Sequence, residues 1–258
     1  MNTYANIAHA PLRISFPRDQ FIREYDDCIL PASRPFIAVQ DQWPTMQRLN
    51  RSWQVLPEAV FQDYDAQIAA GATAINGHTH QWHMVNLMQA EGDRPDGGGA
   101  NWRHRNLRSA KVLKPQFKDL AILQWIQENL PCETITGIHC VSIEPGGFAA
   151  IHRDGGWKLD EPNPARANGF YRQGFVVVTL NISNGGVPLL WALDHETRSP
   201  RSADTDCYMI SDYFMHAVPL TQSRRRQIRV SMVPNAALSA MMLTDQAVIL
   251  PDDYEFTW

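Results

Sequence analysis

The chain has 258 residues, 44% of them hydrophobic and 19% charged, with a formal net charge of −4. That mixture belongs to a globular protein with a sizeable core and excludes a low-complexity or disordered chain. The slightly acidic balance lacks the basic footprint of a nucleic-acid binder, and no apolar run reaches transmembrane length.

Four cysteines (Cys28, Cys132, Cys140 and Cys207) are scattered without a C-x-x-C pair, which argues against a zinc module or a disulfide framework. They read as reduced, buried thiols. The segment MNTYANIAHAPLR has no basic start followed by an apolar run, so no secretory signal is expected. The expectation is a soluble cytoplasmic protein, and nothing in the sequence bears on its oligomeric state.

In chain order, Pro17 to Ile29 spaces Phe21, Tyr25 and Ile29 by four, predicting a short helix with proline in its first turn. Pro57 to Ala69 repeats the pattern with Phe61, Tyr64 and Ile68. NGHTHQWH offers His78, His80 and His83, but no acid or cysteine completes a metal site nearby, so it reads as a substrate-proximal or surface cluster. Glu91 to Asn106 is too rich in Gly and Asp for regular structure and carries Trp102, Arg103, His104 and Arg105. Pro115 to Leu130 predicts another helix, with Leu120, Leu123, Ile126 or Gln127, and Leu130 along one side. Helices of this kind pack outside a β core.

From Gly137 onward the pattern changes to strands: GIHCVSIEPGGFAAIHRD, GFVVVTLNI, CYMI and IRVSMV. Side chains two apart on a strand share a side, so His152 and Asp154 converge while Arg153 turns away. With His216 in SDYFMHAV they form two imidazoles and a carboxylate, a set able to hold a divalent iron on one face. Arg229 and Ser231 obey the same period, and a planar guanidinium fork matches a carboxylate. Between His152 and the third strand lies Gly155 to Gln173, a long loop with Trp157, Lys158, Arg166, Asn168 and Arg172; loops of such length in a compact domain are usually functional or disordered. Arg224, Arg225 and Arg226 read as a solvated connection, with a substrate-facing patch as the alternative. The residues alone also admit a β-sandwich that binds a metal without oxygen chemistry, or binds none.

H-x-D, a long gap, His, then R-x-S resembles the Fe(II)/2-oxoglutarate-dependent oxygenases, and within them the aspartyl/asparaginyl β-hydroxylase-like branch that includes amino-acid hydroxylases. The resemblance covers about Gly137 to Pro234, and Asp212, four residues before His216, fits it. It implies an all-β double-stranded β-helix (jelly-roll, cupin-like) core with flanking helices. The expected layout is one oxygenase domain over 1–258: a mixed helix/strand part over 1–135, the core over 136–235 and an extension over 236–258.

The same resemblance implies His152, Asp154 and His216 as ligands of Fe(II), with Arg229 and Ser231 on the far carboxylate of 2-oxoglutarate. Thr179, Asn181 and His139 become candidate cosubstrate contacts. Trp102, Arg103, Trp157, Lys158, Arg166 and Arg172 become candidate substrate contacts. The implied reaction consumes O2, releases succinate and CO2, and hydroxylates a C–H of a small carboxylate-bearing molecule such as an amino acid or acidic sugar; desaturation and cyclisation belong to the same chemistry. An Asp/Asn-type side chain of a peptide and a non-catalytic cupin-like sensor are the alternatives.

Overall fold

Short alternating apolar runs, interrupted by Gly, Pro and charged turns, divide this chain into many brief strands. The computed structural model describes residues 4, 6–35, 48, 50–71, 81–90, 111–152, 174–193, 200–211 and 214–251. The chain opens with β1 (Ile7–Pro11) and helix α1 (Arg18–Glu24), which runs into a π-helical turn at Tyr25–Ile29 and a 3-10 turn at Leu30–Ala32. Then come β2 (Arg34–Pro35), α2 (Glu58–Ala69), β3 (Trp82–Asn86), β4 (Met88–Ala90), β5 (Lys111–Leu113) and α3 (Ala121–Asn129). The remaining strands are β6 (Cys132–Ile143), β7 (Ala149–His152), β8 (Val176–Asn184), β9 (Leu189–Ala192), β10 (Arg201–Ala203), β11 (Cys207–Ile210), β12 (Met215–Val218) and β13 (Arg225–Pro234). A four-residue helix α4 (Ala237–Ala240) and β14 (Val248–Ile249) follow.

An eight-stranded sheet has the order β14-β1-β11-β8-β13-β6-β3-β2, and a four-stranded sheet has the order β10-β9-β12-β7. From β6 onward the chain alternates between them: β6, β8, β11 and β13 join the large sheet, while β7, β9, β10 and β12 join the small one. All these pairings are antiparallel. This winding is the double-stranded β-helix, or jelly roll, in which two sheets face each other across a lumen. Beyond the expected strands, β1, β2, β3 and β14 widen the large sheet at both edges.

Strand alternation gives the large sheet two different faces. Ile138, Cys140, Val178, Leu180, Ile228, Val230 and Met232 form one, packing with Phe21, Tyr25, Ile29, Ile122, Leu123 and Ile126 of the helical layer. The other face meets the small sheet, where Ile143, Tyr208 and Ile210 pack with Ala149, Leu189, Trp191 and Val218. The helices are tied together by Glu24, whose two carboxylate oxygens each accept an N–H at the start of α3, from Ala121 and Ile122, at 2.7 Å. An anion there satisfies amides that lack a partner within the helix and complements its dipole.

Several expectations change in detail. Pro17 stands just ahead of α1 rather than inside it, although Phe21, Tyr25 and Ile29 are buried together as the spacing requires. Pro115 starts a separate 3-10 turn, and extended backbone at Leu120 separates it from α3; Ile126, not Gln127, completes the buried face. The side chains of Phe61, Tyr64 and Ile68 on α2 lie outside the described residues. Of the four thiols, Cys140 and Cys207 are buried but Cys28 is exposed, and all are free.

The arginine triplet is not a solvated connection. Arg226 clasps Asp26 through two bonds of 2.8 and 2.6 Å, Arg224 reaches Asp26 and Glu144, and Arg225 points the opposite way into the lumen. A strand sends neighbouring residues to opposite sides, so a run of like charges splits between two faces. No helix among the described residues is long and apolar enough to cross a membrane.

Candidate active site

β7 and β12 pair so that His152 stands directly opposite His216, and their ring centroids are 4.3 Å apart. The tight β6–β7 turn that aims β7 depends on Gly147, where a Cβ would come within 2.6 Å of the Ile143 side chain. His216 is only 8% exposed, and its Nδ1 lies 2.9 Å from the Phe214 carbonyl oxygen. A carbonyl only accepts, so Nδ1 carries the proton and the lone pair of the ring resides on Nε2. His152 tilts against Trp82 of β3 at 5.9 Å. Two imidazoles side by side, one with its tautomer fixed, could supply two ligands to a divalent cation. Asp154, the expected third, lies outside the described residues, as does Asp212.

Across the lumen the large sheet presents a polar face. Register places Asn86, His139, Arg229, Thr179 and Tyr208 in one row across β3, β6, β13, β8 and β11. His139 Nδ1 meets Asn86 Oδ1 at 2.5 Å. The imidazole can fold over the sheet because residue 137 is glycine: a Cβ there would lie 3.2 Å from His139 Nε2 and 3.7 Å from Ser231 Cβ. Alternation along β13 puts Arg225, Gln227, Arg229 and Ser231 on this side, opposite Ile228 and Val230 in the core. Thr179, Asn181 and Ser231 are buried, while Arg229 and His139 are half-buried.

Arg225 differs from its neighbours. It is 1% exposed, and its Nη1 donates to the carbonyls of Asn184 at 2.9 Å and Val187 at 2.8 Å. Both acceptors belong to the β8–β9 turn, made by Gly185 (φ 69) and Gly186 (φ 80) in the left-handed region. Nε and Nη2 have no partner at normal hydrogen-bond geometry among the described residues, although the guanidinium lies close enough to the Tyr208 hydroxyl for the two to act on each other as hydrogen-bonding neighbours. Burial works against the charge of this guanidinium, with nearby Tyr208 supporting it. Tyr208 is itself buried and its phenol is pushed up by that burial, so it remains protonated. It accepts a bond of 3.0 Å from Gln227 Nε2 and keeps its own proton to donate.

The structure therefore brings His152 and His216 together on one sheet and sets His139, Thr179, Asn181, Arg229 and Ser231 on the facing one. Trp102, Arg103, Trp157, Lys158, Arg166 and Arg172 lie outside the described residues, as do His78 and His80. His83 pairs with Ser142, which places it on the side of the sheet away from His139. Two residues on this face were not among the expected site residues: Tyr208, which the sequence reading did not single out, and Arg225, which it placed in the connection. Arg225 had a usable signal, since the period that couples Arg229 to Ser231 also runs back through Gln227 to Arg225.

No family model matches the sequence, and no curated protein matches it. Among solved structures, an oxidoreductase of the 2OG-Fe(II) oxygenase family from Burkholderia pseudomallei is similar over 85% of this chain and 90% of its own, with 11% identity and a TM-score of 0.33. The non-heme alpha-ketoglutarate-dependent carbocyclase SnoK from nogalamycin biosynthesis is similar over 89% of this chain and 81% of its own, with 8% identity and a TM-score of 0.40. HygX from Streptomyces hygroscopicus, with nickel, 2-oxoglutarate and hygromycin B bound, is similar over 71% of this chain and 82% of its own, with 11% identity and a TM-score of 0.33. At these identities and scores the likenesses assign no activity to this chain.

Proposed function

We propose that this chain is a non-haem Fe(II)/2-oxoglutarate-dependent dioxygenase that hydroxylates a C–H bond of a small, carboxylate-bearing molecule. The observation that carries the reading is the pairing of His152 with His216 on one wall of the lumen, faced by a buried guanidinium with unused donors on the other. The donor set suits the metal: two imidazoles, with Asp154 two residues beyond the first, make the two-histidine, one-carboxylate face of this iron class. A ferrous ion held there would supply oxygen activation coupled to decarboxylation of 2-oxoglutarate to succinate and CO2.

The protein's own part is to bind, orient and keep water out. Arg225 and Arg229 lie four residues apart on one face of β13, roughly 13 Å along a strand. A five-carbon dicarboxylic acid held at one end by the metal site would have its other carboxylate within reach of one of them. We assign that carboxylate to Arg225, because its Nε and Nη2 are buried and unpartnered. A charge in that position is costly until an anion meets it. Arg229, half-buried between His139 and Thr179, then serves the carboxylate of the substrate. Ser231 and Thr179 support it from the neighbouring positions on the same face.

Full-length protein supplied with Fe(II), 2-oxoglutarate and air, and screened against amino acids and related acids, is expected to release succinate faster with one of them. Succinate release that neither Fe(II) nor any such acid stimulates would remove this reading and favour a ligand-binding role for the pocket.

A further inference from the structure

β1 pairs with β11 through His9 and Ile210, so an N-terminal strand contributes a wall to the lumen. His9 is 6% exposed. Its ring stacks on Trp191 at 5.3 Å and tilts against Tyr208 at 5.7 Å. Trp191 in turn is the cross-strand partner of His216, while the Tyr208 hydroxyl accepts from Gln227 and lies within hydrogen-bonding influence of the Arg225 guanidinium. A continuous wall thus leads from the histidine pair through Trp191, His9 and Tyr208 to Arg225.

Along that wall, four buried polar atoms have no partner among the described residues: His9 Nε2, Trp191 Nε1, and Arg225 Nε and Nη2. Buried polar groups are almost always satisfied, so these neighbouring exceptions, with Asn181 Oδ1 on the same face, mark the seat of a polar occupant. Three of these atoms are obligatory donors, and the Tyr208 hydroxyl adds a fourth donor. The matching occupant is therefore an acceptor with several lone pairs, namely a carboxylate. The His9 imidazole fits such a seat as a neutral donor. Burial, and then the charge of Arg201, lowers its pKa to about 4, so it can present an N–H without adding a second buried charge.

We propose that His9 is a binding and positioning residue of the cosubstrate pocket, donating from Nε2 to the carboxylate that Arg225 holds. The N-terminal strand is then a working part of the site rather than padding on the sheet edge. This inference rests on reading the lumen as the 2-oxoglutarate pocket, and its test separates the two.

Calorimetric affinities for 2-oxoglutarate are compared in Mn(II)-loaded full-length protein and its Arg225→Ala, His9→Phe and His9→Gln variants. Phenylalanine keeps the stacking and loses the donor, whereas glutamine keeps a donor. Arg225→Ala and His9→Phe should each weaken binding about tenfold or more, and His9→Gln should restore most of the loss. Binding that survives in His9→Phe but fails in Arg225→Ala overturns the role of His9 and leaves the pocket assignment standing. Binding unchanged in both variants overturns the assignment as well. A second measurement needs no disruptive variant: histidine labelled with 15N in the Zn(II)-loaded protein, with the His9 signals identified by their absence in His9→Gln. Addition of 2-oxoglutarate should shift the protonated Nε2 resonance of His9, and an unmoved resonance overturns the proposal.

Discussion

Arg225 and Arg229 share a strand face, yet their surroundings ask different things of them. Arg225→Ala should raise the 2-oxoglutarate requirement ten- to a hundredfold, the effect of losing a charge-assisted contact of about 1.5–3 kcal/mol. Arg229→Ala should leave that requirement within about threefold and instead weaken the response to substrate. Steady-state measurements with both ligands varied would show it, and the reverse pattern would restore Arg229 as the cosubstrate anchor. His9 makes a separate prediction about stability. Its folded pKa of about 4 lies below the ordinary 6.5, so between those values the unfolded chain binds more protons than the folded one. Stability conferred by neutral His9 is complete above pH 6.5 and falls as pH drops towards 4, by on the order of 3 kcal/mol. Denaturant midpoints of wild type and His9→Phe should diverge across that window and run parallel above it. Equal slopes throughout would mean that His9 is not held neutral by the fold.

Between elements, the decisive contacts join residues far apart in sequence, and this governs what could be read in advance. The core strands were legible because alternation is local: IRVSM and VVVTLNI announce their two faces within a few residues. The α3 face was legible for the same reason, through Leu123 and Ile126. The arginine triplet was not, because its meaning depends on Asp26, about 200 residues earlier. Likewise β1 is five residues long, and its partners β11 and β14 come from the other end of the chain. Glu24 is another long-range device, capping α3 from α1. Glu24→Ala should cost about 1 kcal/mol, within the range for a lost helix cap, and chemical denaturation would record it. An unchanged midpoint would mean that water replaces the carboxylate without loss. Asp26 is opposed by burial, but Arg226 and Arg224 outweigh that and hold its carboxyl below the usual range. Its contribution is present above the ordinary carboxylate pKa and is lost only as acid protonates it.

In the molecule as a whole, two sheets wound into a jelly roll provide two facing walls, and each wall carries one half of the proposed site. The small sheet brings together His152 and His216 from strands that the H-x-D and distal-His spacing had already nominated. The large sheet carries the half proposed to bind the anion; Arg225 shares its face by the same alternation that couples Arg229 to Ser231, whereas His9 joined it only when β1 was placed beside β11. In the proposed enzyme the two halves serve one ligand, a keto acid that would meet the metal at one end and a guanidinium at the other. Anaerobic titration of the Fe(II)-loaded protein with 2-oxoglutarate reads that arrangement directly. A weak visible charge-transfer band should grow with the keto acid, vanish in His216→Ala, and require far more 2-oxoglutarate in Arg225→Ala. A wild-type protein that binds Fe(II) but develops no such band at any 2-oxoglutarate concentration would contradict it.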